Sequence, residues 1–237
     1  MSIDPPLVVE LFGQPGSGKT TLAYSVATGS KFVSRSSLGT AWQRQSKLVK
    51  AVYFARTLLD VRCLAHAAKF VIAAPLVRRN SLSRLFRLLI KSHWIRSQTG
   101  PLLLSEGHLQ ELWSILYSAG KRQPEPRQLA PLIRSIFRGV DVHIVYLDLD
   151  PQSAFDRIRG RQNGKSRLDR LAELELRQHL AAAEELPHRI VDAATMAGLR
   201  VERLDASLTI ETMIDRLHAV IRRLERSTAD PLIADPC

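Results

Sequence analysis

The stretch Leu7–Leu22, LVVELFGQPGSGKTTL, limits this chain more than any other. An apolar run from Leu7 to Phe12, with Glu10 as its single polar member, breaks at Gly13. Gln14, Pro15, Gly16, Ser17 and Gly18 then lead into Lys19, Thr20 and Thr21, after which the pattern turns helical. The spacing G-x-x-x-x-G-K-[ST] between a strand and a helix is that of a loop that wraps a phosphate chain. Its glycines allow close backbone approach, and its successive N–H groups and the helix N-terminus face the anion. Lys19 can reach the β- and γ-phosphates and the Thr20 hydroxyl can ligate Mg²⁺. Gly13–Thr21 therefore predicts a nucleoside triphosphate site.

The remaining pattern alternates strands with helices. A nearly continuous apolar first strand, Leu7–Phe12, suits a strand buried on both faces of a parallel sheet. A short second strand is expected at Lys31–Ser34. Residues 40–98 read as mostly helical, with Pro75 interrupting the second of three segments. Later strands are expected at Leu102–Ser105, Val140–Leu149 and Leu199–Leu204, with helices between them. Helical patterning over Leu168–Leu186 is read as ending at Pro187, and Thr209–Leu224 as the closing helix. These elements predict a three-layer α/β/α fold with a five-stranded parallel sheet. The expected organisation is one domain over 1–225, with an acceptor-side helical region at 40–98, a lid at 157–170, and a loose tail at 226–237.

Ligands of such sheets gather at the carboxyl ends of the strands. Glu106 follows the third strand and is the leading acid facing Lys19, able to hold Mg²⁺ or take a proton from an attacking hydroxyl. Asp148, near the end of the fourth strand, is its rival for magnesium, whereas Asp150 before Pro151 reads as a helix cap. Arg157, Arg161, Arg167 and Arg170 surround a Gly-containing segment. Planar guanidinium groups there could stabilise charge on a transferring phosphoryl group, and a closing loop would exclude water. Arg84, Arg87, Lys91 and Arg96 recur along the third helical segment, as a solvated basic face or as a wall over an anionic substrate.

The 237 residues carry a net charge of +11, which fits an anionic partner without choosing one. Two distant cysteines imply neither a disulfide framework nor a metal cluster. The seven histidines lack metal-ligand spacing; only His108 lies near a candidate acid. The N-terminus lacks a basic signal-like region, and the longest candidate span, Phe70–Val77, is too short to cross a bilayer. A cytoplasmic location is the expectation. No helix-turn-helix or basic sheet interleaved with aromatics favours nucleic acid.

Four passages, GQPGSGKTT, LLLSEGH, YLDLDPQSAFDRIRGR and VERLDASLTIETMIDRL, resemble in order and spacing the P-loop kinases of the thymidylate-kinase-like, nucleoside-monophosphate-kinase group. The resemblance covers roughly half of the chain. It implies an ATP-dependent kinase with ATP and Mg²⁺ on Gly13–Thr21 and with Lys19, Glu106, Arg157 and Arg161 at the reacting phosphates; Arg167, from the arginine cluster, is expected to join them. It also places Asp205–Ser207 near the adenine. The chain departs from the group's pattern where Gly107 replaces an arginine, and in the long helical segment 35–98, which lacks Arg-Glu-Pro after strand two. The acceptor is expected to be a nucleoside, a nucleotide or a related anionic metabolite in a reshaped pocket. The alternatives are a nucleotide-dependent switch and a nucleic-acid-associated ATPase. The apolar helices of 40–98 could pair two copies of the chain.

Overall fold

The computed structural model describes residues 5–27, 33–35, 38–74, 79–119, 123–161 and 168–229. Its elements run β1 Leu7–Gly13, α1 Lys19–Ala27, β2 Val33–Arg35, α2 Leu38–Gln43, α3 Lys47–Leu59, α4 Val61–Ala73, α5 Arg79–Ile95, β3 Leu102–Leu104 and α6 His108–Ala119. They continue with α7 Pro126–Ile136, β4 Asp141–Asp148, α8 Pro151–Arg159, α9 Glu173–Ala183, α10 Glu185–Met196, β5 Arg200–Asp205 and α11 Ile210–Ala229. All pairings are parallel in the order β2-β3-β1-β4-β5, which puts the strand before the glycine loop in the middle.

Strand alternation divides the apolar residues between two layers. Val8 and Phe12 of β1, Leu102 and Leu104 of β3, and Ile144 and Tyr146 of β4 face a layer that includes α4 to α7 and α10. Leu7, Val9 and Leu11, with Leu103, Val145 and Leu147, face α1, α8, α9 and α11. The parallel sandwich expected from the alternating pattern is therefore present. Glu10 shares the parity of Val8 and Phe12, so a carboxylate is fully buried on the α6 side of the central strand.

Two boundaries differ from the sequence reading. Pro187 stands in the first turn of α10, where its missing N–H has no intrahelical partner to lose. A proline read as a terminator thus opens a helix whose Ile190, Val191, Ala193 and Ala194 pack into the core. At the other end α11 continues to Ala229, beyond the expected start of the tail; residues 230–237 lie outside the described set.

Caps join the helices between β2 and β3. The Ser46 hydroxyl accepts the Val49 N–H at 3.3 Å to start α3, and Asp60 accepts the Cys63 N–H at 3.1 Å to start α4. Asp60 also accepts a hydrogen bond from Arg138 and lies 3.7 Å from Arg96, tying α4 to α5 and to the end of α7. Among the described residues no helix is long and apolar enough to cross a membrane.

Candidate functional site

The turn after β1 uses its glycines in two ways. Gly16 and Gly18 have φ of +93° and +89°, a region that side chains with a Cβ rarely adopt. Gly13 is extended, but a Cβ there would lie 2.6 Å from the Leu147 carbonyl oxygen of the neighbouring strand. Gln14 is buried and its amide nitrogen donates to the Leu149 carbonyl, fastening the loop to the end of β4. Lys19 folds back over the loop, its Nζ donating to Gly13 O at 2.7 Å, Gln14 O at 2.9 Å and Ser17 Oγ at 3.3 Å. Burial pushes the Lys19 ammonium down to about 7; Glu106 pulls the other way and Arg161 adds to the depression. An anionic ligand would restore its charge.

A cavity of about 320 Å³ opens over this loop. Pro15, Gly16, Gly18, Lys19, Thr20 and Thr21 form one wall, and Glu106, Gln110, Arg161 and Leu168 form the other. The structure thus brings together the loop, the third-strand acid Glu106 and Arg161. Arg157, half-buried on α8, lies within electrostatic reach of Asp205. Arg167 lies outside the described residues, as does the rest of the segment 162–167. Asp205 closes a tight turn by accepting the Ser207 N–H at 2.8 Å and its hydroxyl at 2.6 Å. Asp148 accepts from the Tyr146 hydroxyl at 3.3 Å and lies 3.9 Å from Arg203. Asp150 is the N-cap of α8, accepting the Ser153 N–H at 2.9 Å.

Glu106 is exposed and held by a turn that rests on Glu10. The Glu10 carboxylate accepts the backbone N–H of His108 at 2.9 Å, of Leu109 at 2.7 Å and of Gln110 at 3.4 Å, so it caps α6 from the neighbouring strand. Burial drives its carboxyl up to about 7 despite these three donors. A Cβ on Gly107 would sit 2.2 Å from Glu10 Cδ. That contact gives a physical reason for glycine where the resembled group has arginine. His108, for all its proximity in sequence to Glu106, is fully buried with its ring edge-on to Phe137 at 5.1 Å. Burial pushes it down to about 3, so it is neutral.

A second cavity of about 330 Å³ adjoins the first, sharing Glu106 and Gln110. Its remaining lining is Arg84 and Lys91 from α5 with Gly107, Glu111, Trp113 and Ser114 from the start of α6. Lys91 Nζ pairs with Glu111 Oε2 at 2.6 Å in a largely buried ion pair. The basic residues of α5 therefore divide. Arg84 and Lys91 line this cavity, Arg87 is exposed, and Arg96 bonds the Ser135 carbonyl at 2.6 Å on the Asp60 side. Sequence reasoning missed Glu10, Gln110 and Trp113. The signals were there: Glu10 is the one polar residue of the first strand, and positions 107, 110, 111 and 114 repeat at helical spacing after Glu106.

Neither a family model nor a curated protein matches the sequence. Among solved structures, the chain is similar to deoxyadenosine kinase from M. mycoides with bound dATP, at a TM-score of 0.55 and 11% identity, over 91% of this chain and 98% of that one. It is also similar to the same enzyme with products dCMP and a flexible dCDP bound, at a TM-score of 0.53 and 13% identity, over 92% and 99% of the two chains. At such identities the likeness is one of fold, and it spans nearly the whole of both chains.

Proposed function

We propose that this protein is an ATP-dependent kinase that transfers the γ-phosphate to a small-molecule acceptor of the nucleoside or nucleotide class. The observation that carries the reading is the pair of adjoining cavities that meet at Glu106 and Gln110, one built on a phosphate-wrapping loop and the other on mixed polar and aromatic side chains. A switch that hydrolyses its nucleotide needs only the first. The fold shared with deoxyadenosine kinase from M. mycoides agrees with this reading, and the closer tie to the thymidylate-kinase-like group rests on the sequence passages.

Gly13–Thr21 would hold the triphosphate, with Lys19 turning from the loop carbonyls to the β- and γ-phosphates. The Thr20 hydroxyl and the Glu106 carboxylate are exposed hard oxygen donors on opposite walls of one cavity, a set that suits Mg²⁺ shared with phosphate oxygens. The ion would neutralise charge developing on the phosphates. Among the described residues no cluster of three or more His, Cys, Asp or Glu is placed to hold a metal ion. An acceptor hydroxyl from the second cavity would attack the γ-phosphorus, its proton passing to Glu106 as the bond to the β-phosphate oxygen breaks. Arg161, with Arg157 and Arg167 if the lid closes over the site, would steady the equatorial oxygens.

The test is an acceptor screen that follows ADP formation across nucleosides and their monophosphates. Turnover that depends on the acceptor, and falls on the order of 10²-fold or more in Lys19→Ala, is expected; turnover indifferent to every acceptor would sink the reading. The 40–98 segment would be the acceptor side. Its α3 leaves Leu48, Val52, Ala55 and Leu59 exposed in one helical stripe, Leu48 at 75% and Leu59 at 80%, which suits a homodimer measurable by light scattering.

A further inference from the structure

The helix α4 is apolar on two opposite sides. Cys63, Ala67, Phe70 and, just past its end, Ala74 are buried in the core. Val61, Ala65, Ala68 and Ile72 follow the spacing i, i+4, i+7, i+11 and form a second stripe on the opposite side of the helix. All four are exposed, Val61 at 73% and Ile72 at 81%. A helix that is apolar all round is normally buried all round, yet the described chain covers α4 on its inner side only. The charges beside the stripe have one sign. Arg62 and Lys69 lie exposed along its edge, and from α2 to α4 the chain carries Arg44, Lys47, Lys50, Arg56, Arg62 and Lys69 against a single acid, Asp60. Asp60 points inward and is taken up by the Cys63 N–H, His93, Arg96 and Arg138. The outer face is therefore apolar and basic together.

We propose that this face of α4 docks on an anionic lipid surface, the helix lying in the plane of the interface with Val61 and Ile72 among the acyl chains and Arg62 and Lys69 at the headgroups. The helix is too short to span a bilayer, so the contact is peripheral. Its exposed bulky side chains project from the surface, whereas a protein partner gains its affinity from anchors seated in pockets. A second copy on the same face would bring the cations of both copies together across a two-fold axis. A nucleic acid would meet those cations but leave the apolar stripe in water. The α3 stripe, read above as a contact between copies, belongs to a separate helix and is not part of this face. The docking does not depend on the kinase reading.

The experiment floats the full chain with vesicles of phosphatidylcholine alone and of phosphatidylcholine mixed with phosphatidylglycerol. Binding to the mixed vesicles is expected, about tenfold or more tighter than to the neutral ones. Val61→Ser combined with Ile72→Ser should weaken it about tenfold at unchanged charge. Arg62→Gln combined with Lys69→Gln should remove most of the preference for the anionic lipid. All four side chains are exposed, so these variants should fold as the parent does. Light scattering on the lipid-free protein separates a rival: a mass that falls in the serine variant would mean that this face pairs copies, and would overturn the proposal. So would absence of vesicle binding, vesicle binding that the serine variant leaves unchanged, or binding to duplex DNA that needs Arg62 and Lys69 without any binding to vesicles. The kinase reading fails differently, by turnover in the parent chain that ignores every acceptor, and its failure would leave vesicle binding as it is.

Discussion

The most demanding prediction concerns Gly107→Ala, a change of one methyl group. Gly107 is not among the glycines with positive φ, so alanine meets no backbone penalty there. The penalty is steric. The new Cβ would lie 2.2 Å from Glu10 Cδ, 2.4 Å from Oε2 and 2.7 Å from Cγ. Glu10 cannot swing into solvent, because it is fully buried and its oxygens hold three N–H groups of α6. Either the helix start shifts, at the roughly 1–3 kcal/mol typical of overpacking, or the carboxylate leaves and strands buried donors at about 1–3 kcal/mol each. The cheaper response sets the cost, so a loss of about 3 kcal/mol is expected. At roughly 2–4 °C per kcal/mol for a chain of this size, Tm should fall by about 10 °C.

The assay is a double-mutant cycle by urea unfolding and calorimetry on the parent, Gly107→Ala, Glu10→Ala and the combination. In the Glu10→Ala background the methyl has room, so its effect there should shrink to under about 1 kcal/mol. Gly139→Ala is the control: it has φ of +73° and open space around its would-be Cβ, so it should lose only the roughly 1–2 kcal/mol of left-handed backbone strain. A Gly107→Ala protein within about 1 kcal/mol of the parent, or an equal loss in both backgrounds, would refute the packing argument.

Further outcomes follow from the same geometry. Because the Glu10 carboxyl is raised from 4.5 to about 7, the folded state holds its proton more tightly. Its contribution is complete below about pH 4.5 and is lost as pH rises to about 7, roughly 3 kcal/mol in all; Glu10→Gln should flatten that slope in pH-dependent unfolding. Lys19, depressed to about 7 with the loop empty, should take up close to one proton when ATP binds at pH 8. Calorimetry in buffers of different ionisation enthalpy reads this uptake, and Lys19→Ala should abolish it. Arg161→Ala should lower kcat by on the order of 10²-fold with little change in ATP affinity measured by equilibrium binding, since its role is expected in the transition state.

Legibility in the sequence followed the range of the physics involved. The glycine loop is local: strand, turn and helix are contiguous, so the run Gly13–Thr21 marks it without reference to any tertiary contact. Glu106 was readable because a polar group at the end of an apolar parallel strand has few places to point. The basic stripe on α5 was visible as a stripe, but its meaning depended on partners distant in sequence. Arg84 answers to Ser114 and Ser118, Lys91 to Glu111, and Arg96 to Ser135 and Asp60. One pattern thus divided into separate functions. Pro187 misled for a related reason, since a proline forbids the interior of a helix and permits its first turn, and only packing decides which applies.

Glu10 exposes a coupling that neither motif contains alone. Gly13 lies three positions further along β1, about 10 Å of strand. At one end of that span the carbonyls of Gly13 and Gln14 hold Lys19; at the other the carboxylate holds the first turn of α6, directly after Glu106. The two walls of the loop cavity are thereby registered against one central, fully buried strand rather than against each other through a flexible loop. Phosphoryl transfer is mostly a matter of positioning, so a fixed distance between the phosphate cradle and the acid is what such a site needs. Glu10→Ala should for this reason separate two quantities that a simple loss of stability would move together: ATP affinity, set by the local loop, should hold in the folded fraction, while acceptor-dependent turnover per folded molecule should drop. Parallel losses in both would return Glu10 to the status of an ordinary helix cap.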